Sequence, residues 1–248
     1  MNNIKEYLSN YKREYYDFGA FKFPVEESDE VLFMLGVTLE EILRDILPHR
    51  DTIMEAPYEF KDVFLKNGDT VIDCGANLGL FTALACSKGC KVYSVEPMPK
   101  NIESLKKLKN LNPTFDFTIL PVAVTNYDGI GKFFVKSNDR GNATIDGNCD
   151  IEARQVDTEM NVRMNQIDTL VDLFSIEKVD FIKADIEGAE EFMIEGARNT
   201  IHKFKPKLSI CTYHKPDSKD VLEKMIKDIN PSYTIIQVDG IEGKLYAY

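Results

Sequence analysis

The stretch that decides the fold is TVIDCGANLGLFTALACSKGCKVYSVEPMPKN, from Thr70 to Asn101. A hydrophobic run ends at Asp73, and Gly75 and Gly79 follow it four residues apart. A second hydrophobic run ends at Glu96. Glycine lets the backbone turn sharply between a strand and a helix, and it lets a ligand come close to the chain. Because open α/β sheets bind ligands at the carboxyl ends of their strands, this stretch predicts a nucleotide-binding loop.

The segments around this stretch alternate between strand and helix patterns. PKNIESLKKLKNLN has apolar residues at helical spacing, and FTILPVAV is typical of a third strand. Farther along, VDFIKADIEG and KPKLSICTYH predict strands separated by a helix, and two short strands close the chain around GIEG. A β-α-β-α-β order implies a parallel sheet with right-handed crossovers. The sequence therefore predicts one α/β, Rossmann-like domain over residues 67–248.

Two segments depart from this alternation. Residues 129–168 contain Gly, Asn and Asp turn signals and short β-type runs. We expect them to form an antiparallel insertion at one edge of the sheet that helps to shape a substrate pocket. Residues 1–66 predict a helical N-terminal cap, because GVTLEEILRDIL combines apolar residues at helical spacing with a capping box from Thr38 to Glu41. The aromatic residues near Tyr58 are expected to pack on the sheet or to cover a pocket.

The composition limits the classes of partner. The chain has 248 residues and a formal net charge of −11. An acidic surface repels phosphate backbones, so we expect no nucleic-acid partner. No apolar run approaches the ~18 residues that span a bilayer, and the N-terminus lacks the apolar core of a signal peptide. We therefore expect a cytoplasmic protein without a membrane span, and a homodimer is left open.

The charge of the loop distinguishes two nucleotide ligands. The NAD fingerprint is GxGxxG, with the pyrophosphate on the helix N-terminus, whereas this loop is D-C-G-A-N-L-G. The carboxylate of Asp73 would repel a pyrophosphate, but it suits the ammonium of S-adenosylmethionine, which has no phosphate. Glu96, 21 residues after Gly75, is placed to accept hydrogen bonds from both ribose hydroxyls. The sequence therefore favours S-adenosylmethionine over NAD.

Four stretches, DCGANLGLFT, VEPMPKN, PVAV and IDTL…VDFIKADIEGAEEFMIEGA, closely resemble the FkbM family of class I S-adenosylmethionine-dependent methyltransferases. The resemblance implies a seven-stranded, mostly parallel sheet with an antiparallel last strand. It also implies methyl transfer, usually to an oxygen and often to a hydroxyl of a sugar or a polyketide.

The same resemblance implies roles for single residues. The methionine half of the cofactor would be held by Asp73, Gly75, Asn77 and Gly79. The ribose would bind Glu96, and the adenine would lie beside Pro97, Met98, Val122 and Ala123. Asp185 would face the methionine half or the reacting centre.

The strand tips also hold the candidates for removing the acceptor's proton. Asp185 and Glu187 follow one strand, and His214 ends the next. His214 is the preferred base, because the unperturbed pKa of imidazole is ~6.5. Alternatively, the three side chains bind a divalent metal that acidifies the hydroxyl, and the sequence leaves both routes open. Lys183 is expected to point to the other side of its strand, away from the site.

The sequence thus predicts an O-methyltransferase that acts on a hydroxyl of a sugar, a sugar nucleotide or a glycan precursor, in surface polysaccharide biosynthesis. One alternative is N-methylation of a small amine or a phosphorylated amino alcohol, which tyrosines such as Tyr58 keep open. Another alternative is a non-catalytic S-adenosylmethionine-binding protein. The presence of Asp73, Glu96 and the glycines favours an active enzyme over that reading.

Overall fold

The computed structural model describes residues 15–17, 19–24, 57–135, 143–145, 158–215, 218–239 and 243–248. In chain order the strands are β1 (Tyr15–Asp17), β2 (Lys22–Pro24), β3 (Thr70–Cys74), β4 (Lys91–Val95), β5 (Phe117–Leu120), β6 (Ala123–Val124), β7 (Gly129–Val135), β8 (Ala143–Ile145), β9 (Thr158–Asn165), β10 (Phe181–Ala184), β11 (Lys207–Cys211), β12 (Ile235–Val238) and β13 (Lys244–Ala247). The helices are α1 (Leu80–Ser87), α2 (Pro99–Leu111), α3 (Ile167–Leu173), α4 (Glu190–Glu195), α5 (Arg198–Phe204) and α6 (Ser218–Ile229).

The centre of the protein is a seven-stranded sheet in the order β12-β13-β11-β10-β3-β4-β5. β13 runs antiparallel to both of its neighbours, and the other neighbouring pairs are parallel. The predicted α/β fold with an antiparallel last strand is therefore confirmed. Cys74 of β3 lies in register with Ala184 of β10 and with Val95 of β4. The loops that follow these three strands consequently leave the sheet side by side.

Helices cover both faces of this sheet, because its strands carry buried apolar side chains on both sides. One face packs against α3, α5 and α6, with Ile72 and Ile182 in the shared core. The other face packs against α1 and α2, with Val71 and Phe181 in the core. Among the described residues, no helix has the length and apolar character needed to cross a bilayer.

The described part of the N-terminal segment is extended. β1 and β2 form an antiparallel hairpin, and the side-chain amide of Asn112 bonds both the N–H and the carbonyl of Lys22. Residues 57–65 pack on the same face as α1, where Val63 and Leu65 are buried. The structure thus shows a hairpin where a helical cap was predicted, since strand pairing and Asn112 satisfy its backbone. The predicted helix in GVTLEEILRDIL lies outside the described residues.

The insertion is antiparallel, as the turn signals predicted. β7 pairs antiparallel with β8 and β9, and β6 completes a four-stranded sheet. Phe133, Val162 and Met164 of this sheet pack against Ala189, which lies between β10 and α4. The insertion therefore borders the loop that leaves β10, while residues 136–142 and 146–157 lie outside the described part of the chain.

Candidate active site

The loop after β3 contains left-handed backbone. Gly75, Asn77 and Gly79 have φ values of 74°, 50° and 93°, which glycine adopts readily and other residues adopt at a cost. A Cβ atom on Gly75 would lie 1.9 Å from the carbonyl oxygen of Asp185. The loop therefore presses against the tip of β10, at a point where only a glycine fits. The predicted cofactor loop and the predicted reacting centre are direct neighbours.

The amide groups of this loop are largely used within the protein. Gly75 and Ala76 donate to the carbonyl of Val95, each at 3.0 Å, and Gly79 donates to the carbonyl of Ala76 at 2.8 Å. Asn77 donates to Oε2 of Glu96 at 2.8 Å. A pyrophosphate site needs such amides to point at the ligand. The bonding of the loop therefore supports the choice of a cofactor without phosphate.

Glu96 joins the glycine loop to the loop after β4. Its side chain is almost fully buried, and it accepts hydrogen bonds from the N–H groups of Asn77 and Met98, both at 2.8 Å. Burial raises the pKa of Glu96 to about 7, although these hydrogen bonds act in the opposite direction. A side-chain hydrogen bond from Asn101 also reaches Glu96, so these contacts use three of the roughly four lone-pair sites of the carboxylate. One site is left for a ribose hydroxyl, and a contact with both hydroxyls would require Asn101 to move.

The raised pKa of Glu96 predicts that cofactor affinity depends on pH. Only the ionised carboxylate accepts hydrogen bonds on both oxygens, so binding should strengthen as pH rises through about 7. With that pKa, the dissociation constant at pH 6 is expected to be about tenfold higher than at pH 8. The α-amino group of the ligand also titrates in this pH range. Calorimetry on Glu96→Gln therefore measures the pH dependence of affinity that does not come from Glu96. An equally steep profile in that variant would contradict the assignment.

The residues proposed for the adenine follow β4 and β5. Pro97 and Met98 are half-buried, while Val122 and Ala123 are buried. Met98 and Ala123 pack in one cluster, so the structure brings these two together. Val122 instead belongs to the core beneath α3, so its side chain packs away from Met98 and Ala123.

Asp73 lies beneath the glycine loop and is completely buried. Its Oδ2 accepts a hydrogen bond from the Thr82 hydroxyl at 2.7 Å, and its Oδ1 lies 3.2 Å from Nζ of Lys183. The cation that balances Asp73 is thus the protein's own lysine. This geometry does not offer Asp73 to the ammonium of a ligand, and it makes Asp73 an anchor of the loop instead.

Lys183 does not point away from the site, contrary to the prediction. Its Nζ donates to the carbonyl oxygens of Gly75 at 2.7 Å and Cys74 at 3.3 Å. Burial alone would lower the pKa of Lys183, but Asp73 and Asp185 outweigh it and raise that pKa. Lys183 therefore stays charged and ties the glycine loop to the strand beneath it.

Asp185 follows β10 and accepts hydrogen bonds from the hydroxyl groups of two tyrosines. Tyr58 donates to Oδ2 at 2.8 Å and Tyr213 donates to Oδ1 at 3.1 Å. The Tyr58 ring also lies near two cations, 4.4 Å from Nζ of Lys244 and 5.3 Å from Nζ of Lys183. Burial would raise the pKa of Asp185, but Lys183, His214 and Lys244 outweigh it and lower the pKa to about 2. Asp185 is therefore ionised at neutral pH and is a weak base.

His214 lies between three carboxylates, with its side chain only 2% exposed. Its Nδ1 is 3.0 Å from Oε1 of Glu190, and its Nε2 is 3.7 Å from both Asp185 and Glu187. Burial would lower the pKa of His214, but Glu190, Asp185 and Glu187 outweigh it and raise the pKa to about 9. In this arrangement the imidazole is a cation at neutral pH. It would have to lose its proton before it could act as the predicted base.

The structure thus brings together the three residues predicted for catalysis. Ligand atoms of Asp185, Glu187 and His214 all lie within 4.8 Å of one another. Glu187 has a φ of 56°, a left-handed conformation that is strained for a residue with a side chain and that recurs at functional sites. Sequence reasoning missed Glu190, because an acid in the first turn of a helix is explained by the helix dipole alone. Its burial, which no local pattern reveals, distinguishes it from Glu191, which is only half-buried.

The sheet order and the glycine loop after β3 are those of the class I methyltransferase fold. A family model described as the methyltransferase FkbM domain matches residues 73–232. The chain therefore belongs to the FkbM methyltransferase family.

One solved structure shows the same fold, and two others are more distantly similar. A methyltransferase FkbM from Methylobacillus flagellatus KT is 23% identical, with a TM-score of 0.59 over 89% of this chain. The present chain spans only 55% of that protein. A putative methyltransferase from Streptococcus mutans in complex with SAH is 9% identical, covering 74% of this chain and 89% of its own, with a TM-score of 0.46. Aeropyrum pernix fibrillarin with natively bound S-adenosyl-L-methionine is 14% identical, covering 87% and 74%, with a TM-score of 0.46. No curated protein matches the sequence at the significance threshold applied.

Proposed function

We propose that this protein methylates a hydroxyl oxygen of a sugar, a sugar nucleotide or a glycan precursor, in cytoplasmic steps of surface polysaccharide biosynthesis. One observation carries the proposal of transfer to an oxygen. The tip of β10 touches the cofactor loop through its backbone and joins a cluster of hydrogen-bonding side chains through Asp185. The choice of a sugar rests on family resemblance, which is an association and not a property of the site.

The cofactor would bind across the loops that follow β3, β4 and β5. Glu96 would accept a hydrogen bond from the ribose, and Met98 and Ala123 would contact the adenine. The left-handed loop from Gly75 to Gly79 would hold the methionine half, supported from below by the Asp73–Lys183 pair. When bound, the cofactor supplies a methyl group on a sulfonium, which is already a good leaving group.

The protein's own part in the reaction is alignment and proton removal. The acceptor oxygen forms its bond to the methyl carbon as the bond from sulfur to that carbon breaks, the electron pair of the broken bond stays on the sulfur, and the hydroxyl proton is released to solvent. An alcohol is a poor nucleophile without such assistance. The carboxylates of Asp185 and Glu187 would orient the hydroxyl, and the position of the cluster beside the cofactor loop would align it with the methyl group.

A transfer assay with a panel of acceptors tests the proposal. Nucleotide sugars, free sugars and simple alcohols are incubated with labelled S-adenosylmethionine, and methyl uptake is measured. Uptake by sugars is the expected result. If none of the hydroxyl compounds accepts label while the protein binds the cofactor, the proposed acceptor class is wrong.

Glu96→Ala is expected to weaken cofactor binding about 100-fold, because hydrogen bonds to a charged group contribute about 1.5–3 kcal/mol each. Calorimetry on folded protein measures the change, and thermal unfolding shows whether the variant keeps its structure. Asp69→Ala is a control, since the half-buried Asp69 side chain accepts a hydrogen bond from the Lys66 N–H at 2.8 Å, at the opposite end of β3. Equal affinity in the Glu96 variant and the wild type would remove the ribose assignment.

N-methylation of a small amine or a phosphorylated amino alcohol is a second candidate, because aromatic and acidic groups do meet at the site. The hydroxyls of Tyr58 and Tyr213 both bond Asp185, and Glu187 lies in the same cluster. Such a surrounding suits a cationic amine. Amines therefore belong in the same panel, and preferential uptake by them would select this candidate.

A further inference from the structure

Three potential metal ligands converge at the tips of β10 and β11. Asp185 and Glu187 supply carboxylate oxygens from the loop after β10, and His214 supplies an imidazole nitrogen from the segment after β11. Carboxylate oxygen and imidazole nitrogen are common ligands of divalent cations in proteins. The three come from two separate segments, so the sheet topology itself assembles them.

The Nε2 atom of His214 is directed into this cluster without a hydrogen-bond partner among the described residues. It lies 3.7 Å from Oδ1 of Asp185 and from Oε2 of Glu187, which is beyond hydrogen-bond reach. The side chain is 2% exposed, and a buried polar atom without a partner is costly. A divalent cation that displaced the Nε2 proton would give this atom a ligand and would replace the imidazolium charge between the carboxylates.

The other imidazole nitrogen, Nδ1, faces a carboxylate as an ion pair that lacks hydrogen-bond geometry. Nδ1 lies 3.0 Å from Oε1 of Glu190, whose side chain is 3% exposed. Histidines that bind metals almost always direct their second nitrogen to a carboxylate, a carbonyl or water, which fixes the ring orientation. Glu190 is thus a positioning residue that aims Nε2 at the cluster.

The distances are near those of a site for a small divalent cation. In octahedral geometry, neighbouring ligands with bonds of ~2.1 Å subtend ~90° at the metal and lie ~3.0 Å apart. Nε2 lies 3.7 Å from each of the two carboxylates. Binding a cation would therefore require His214 and the carboxylates to close by roughly 0.7 Å.

We propose that Asp185, Glu187 and His214 bind one divalent cation of the Mn²⁺ or Mg²⁺ class, with Glu190 orienting His214. Three protein ligands leave coordination positions for the acceptor oxygen, and a cation there would acidify the hydroxyl. The part about the acceptor rests on the proposed function, whereas the cation site itself does not.

The test is direct binding of Mn²⁺ to the full chain, with no methyl acceptor present. Protein treated with EDTA and desalted is titrated with Mn²⁺, and binding is followed by calorimetry and by loss of the free-ion electron paramagnetic resonance signal. We expect one ion per chain. The absence of saturable Mn²⁺ binding in wild-type protein that still binds S-adenosylmethionine would overturn the proposal.

Variants assign the ligands. Glu187→Gln should weaken Mn²⁺ binding at least tenfold, and Glu190→Gln by ~10–100-fold. Glu191→Gln is the matched control, since Glu191 is a nearby acid that pairs with Lys215 at 3.0 Å and is outside the cluster. If Glu187→Gln and Glu191→Gln bind Mn²⁺ alike, the assignment is wrong. His214→Gln is a second ligand variant, and cofactor affinity reports whether each variant is folded.

The same measurements separate this inference from the proposed function. Stoichiometric Mn²⁺ binding without methyl uptake by any hydroxyl compound would keep the cation site and reject the acceptor. Methyl uptake that persists in EDTA, in protein without saturable Mn²⁺ binding, would keep the acceptor class and reject the cation site.

Discussion

Replacing Lys183 with methionine is expected to lower the free energy of unfolding by about 3–5 kcal/mol. Methionine is similar in length but has no charge, so Asp73 would stay buried without its cation. Removing one partner of a buried ion pair is costly for this reason. The carbonyl oxygens of Gly75 and Cys74 would also lose a donor. For a domain of this size, a melting temperature roughly 10 °C lower is expected.

The same substitution should also remove measurable cofactor binding, because Lys183 holds the backbone of the loop that forms the proposed site. Circular dichroism and calorimetry measure the two effects. Lys178→Met is the matched control, since Lys178 forms an exposed pair with Asp180 at 2.8 Å, and such pairs contribute about 0–1 kcal/mol.

A double variant separates the charge from the packing. If the unpaired charge is the main cost, Lys183→Met combined with Asp73→Asn should be more stable than Lys183→Met alone. Wild-type stability in Lys183→Met would show instead that the pair is not important for the fold.

The ends of the strands were predictable from the sequence because each lies where a hydrophobic run stops. Asp73, Glu96 and Asp185 all follow such runs, and parallel strands bring their carboxyl ends to one edge. The antiparallel last strand came from the family resemblance and the hairpin signal. The described N-terminal hairpin was missed because its backbone depends on Asn112, about 90 residues away along the chain.

The pairing of charges was not predictable in the same way, since it depends on which strands are neighbours. Lys183 and Asp73 are in register on adjacent strands although 110 residues separate them in sequence. A signal was nevertheless present. VIDC and FIKA each carry one charged residue within a buried run, and buried charges of opposite sign are usually paired. Glu190 gave no such signal, because acids at the start of a helix are common on the surface.

The change of Gly75 to alanine is expected to weaken cofactor binding at least 100-fold and to destabilise the fold. A left-handed φ of 74° alone costs a residue with a Cβ atom about 1–2 kcal/mol. The larger effect comes from the carbonyl oxygen of Asp185, 1.9 Å from the new Cβ. Because both partners are backbone, the loop after β3 and the tip of β10 must move apart, which separates the proposed cofactor site from the reacting cluster.

Two other glycines separate these contributions to the Gly75→Ala effect. Gly68 has a φ of 86° but open space around its position, so Gly68→Ala should show only the cost of left-handed backbone. Gly196 has an ordinary φ of −74°, but a Cβ there would lie 2.1 Å from the carbonyl oxygen of Thr125. Gly196→Ala should therefore lower stability without changing cofactor affinity in the folded protein. Thermal unfolding and calorimetry at low temperature measure both quantities. Equal losses of affinity in Gly75→Ala and Gly196→Ala would mean that the contact between Gly75 and Asp185 has no special part in cofactor binding.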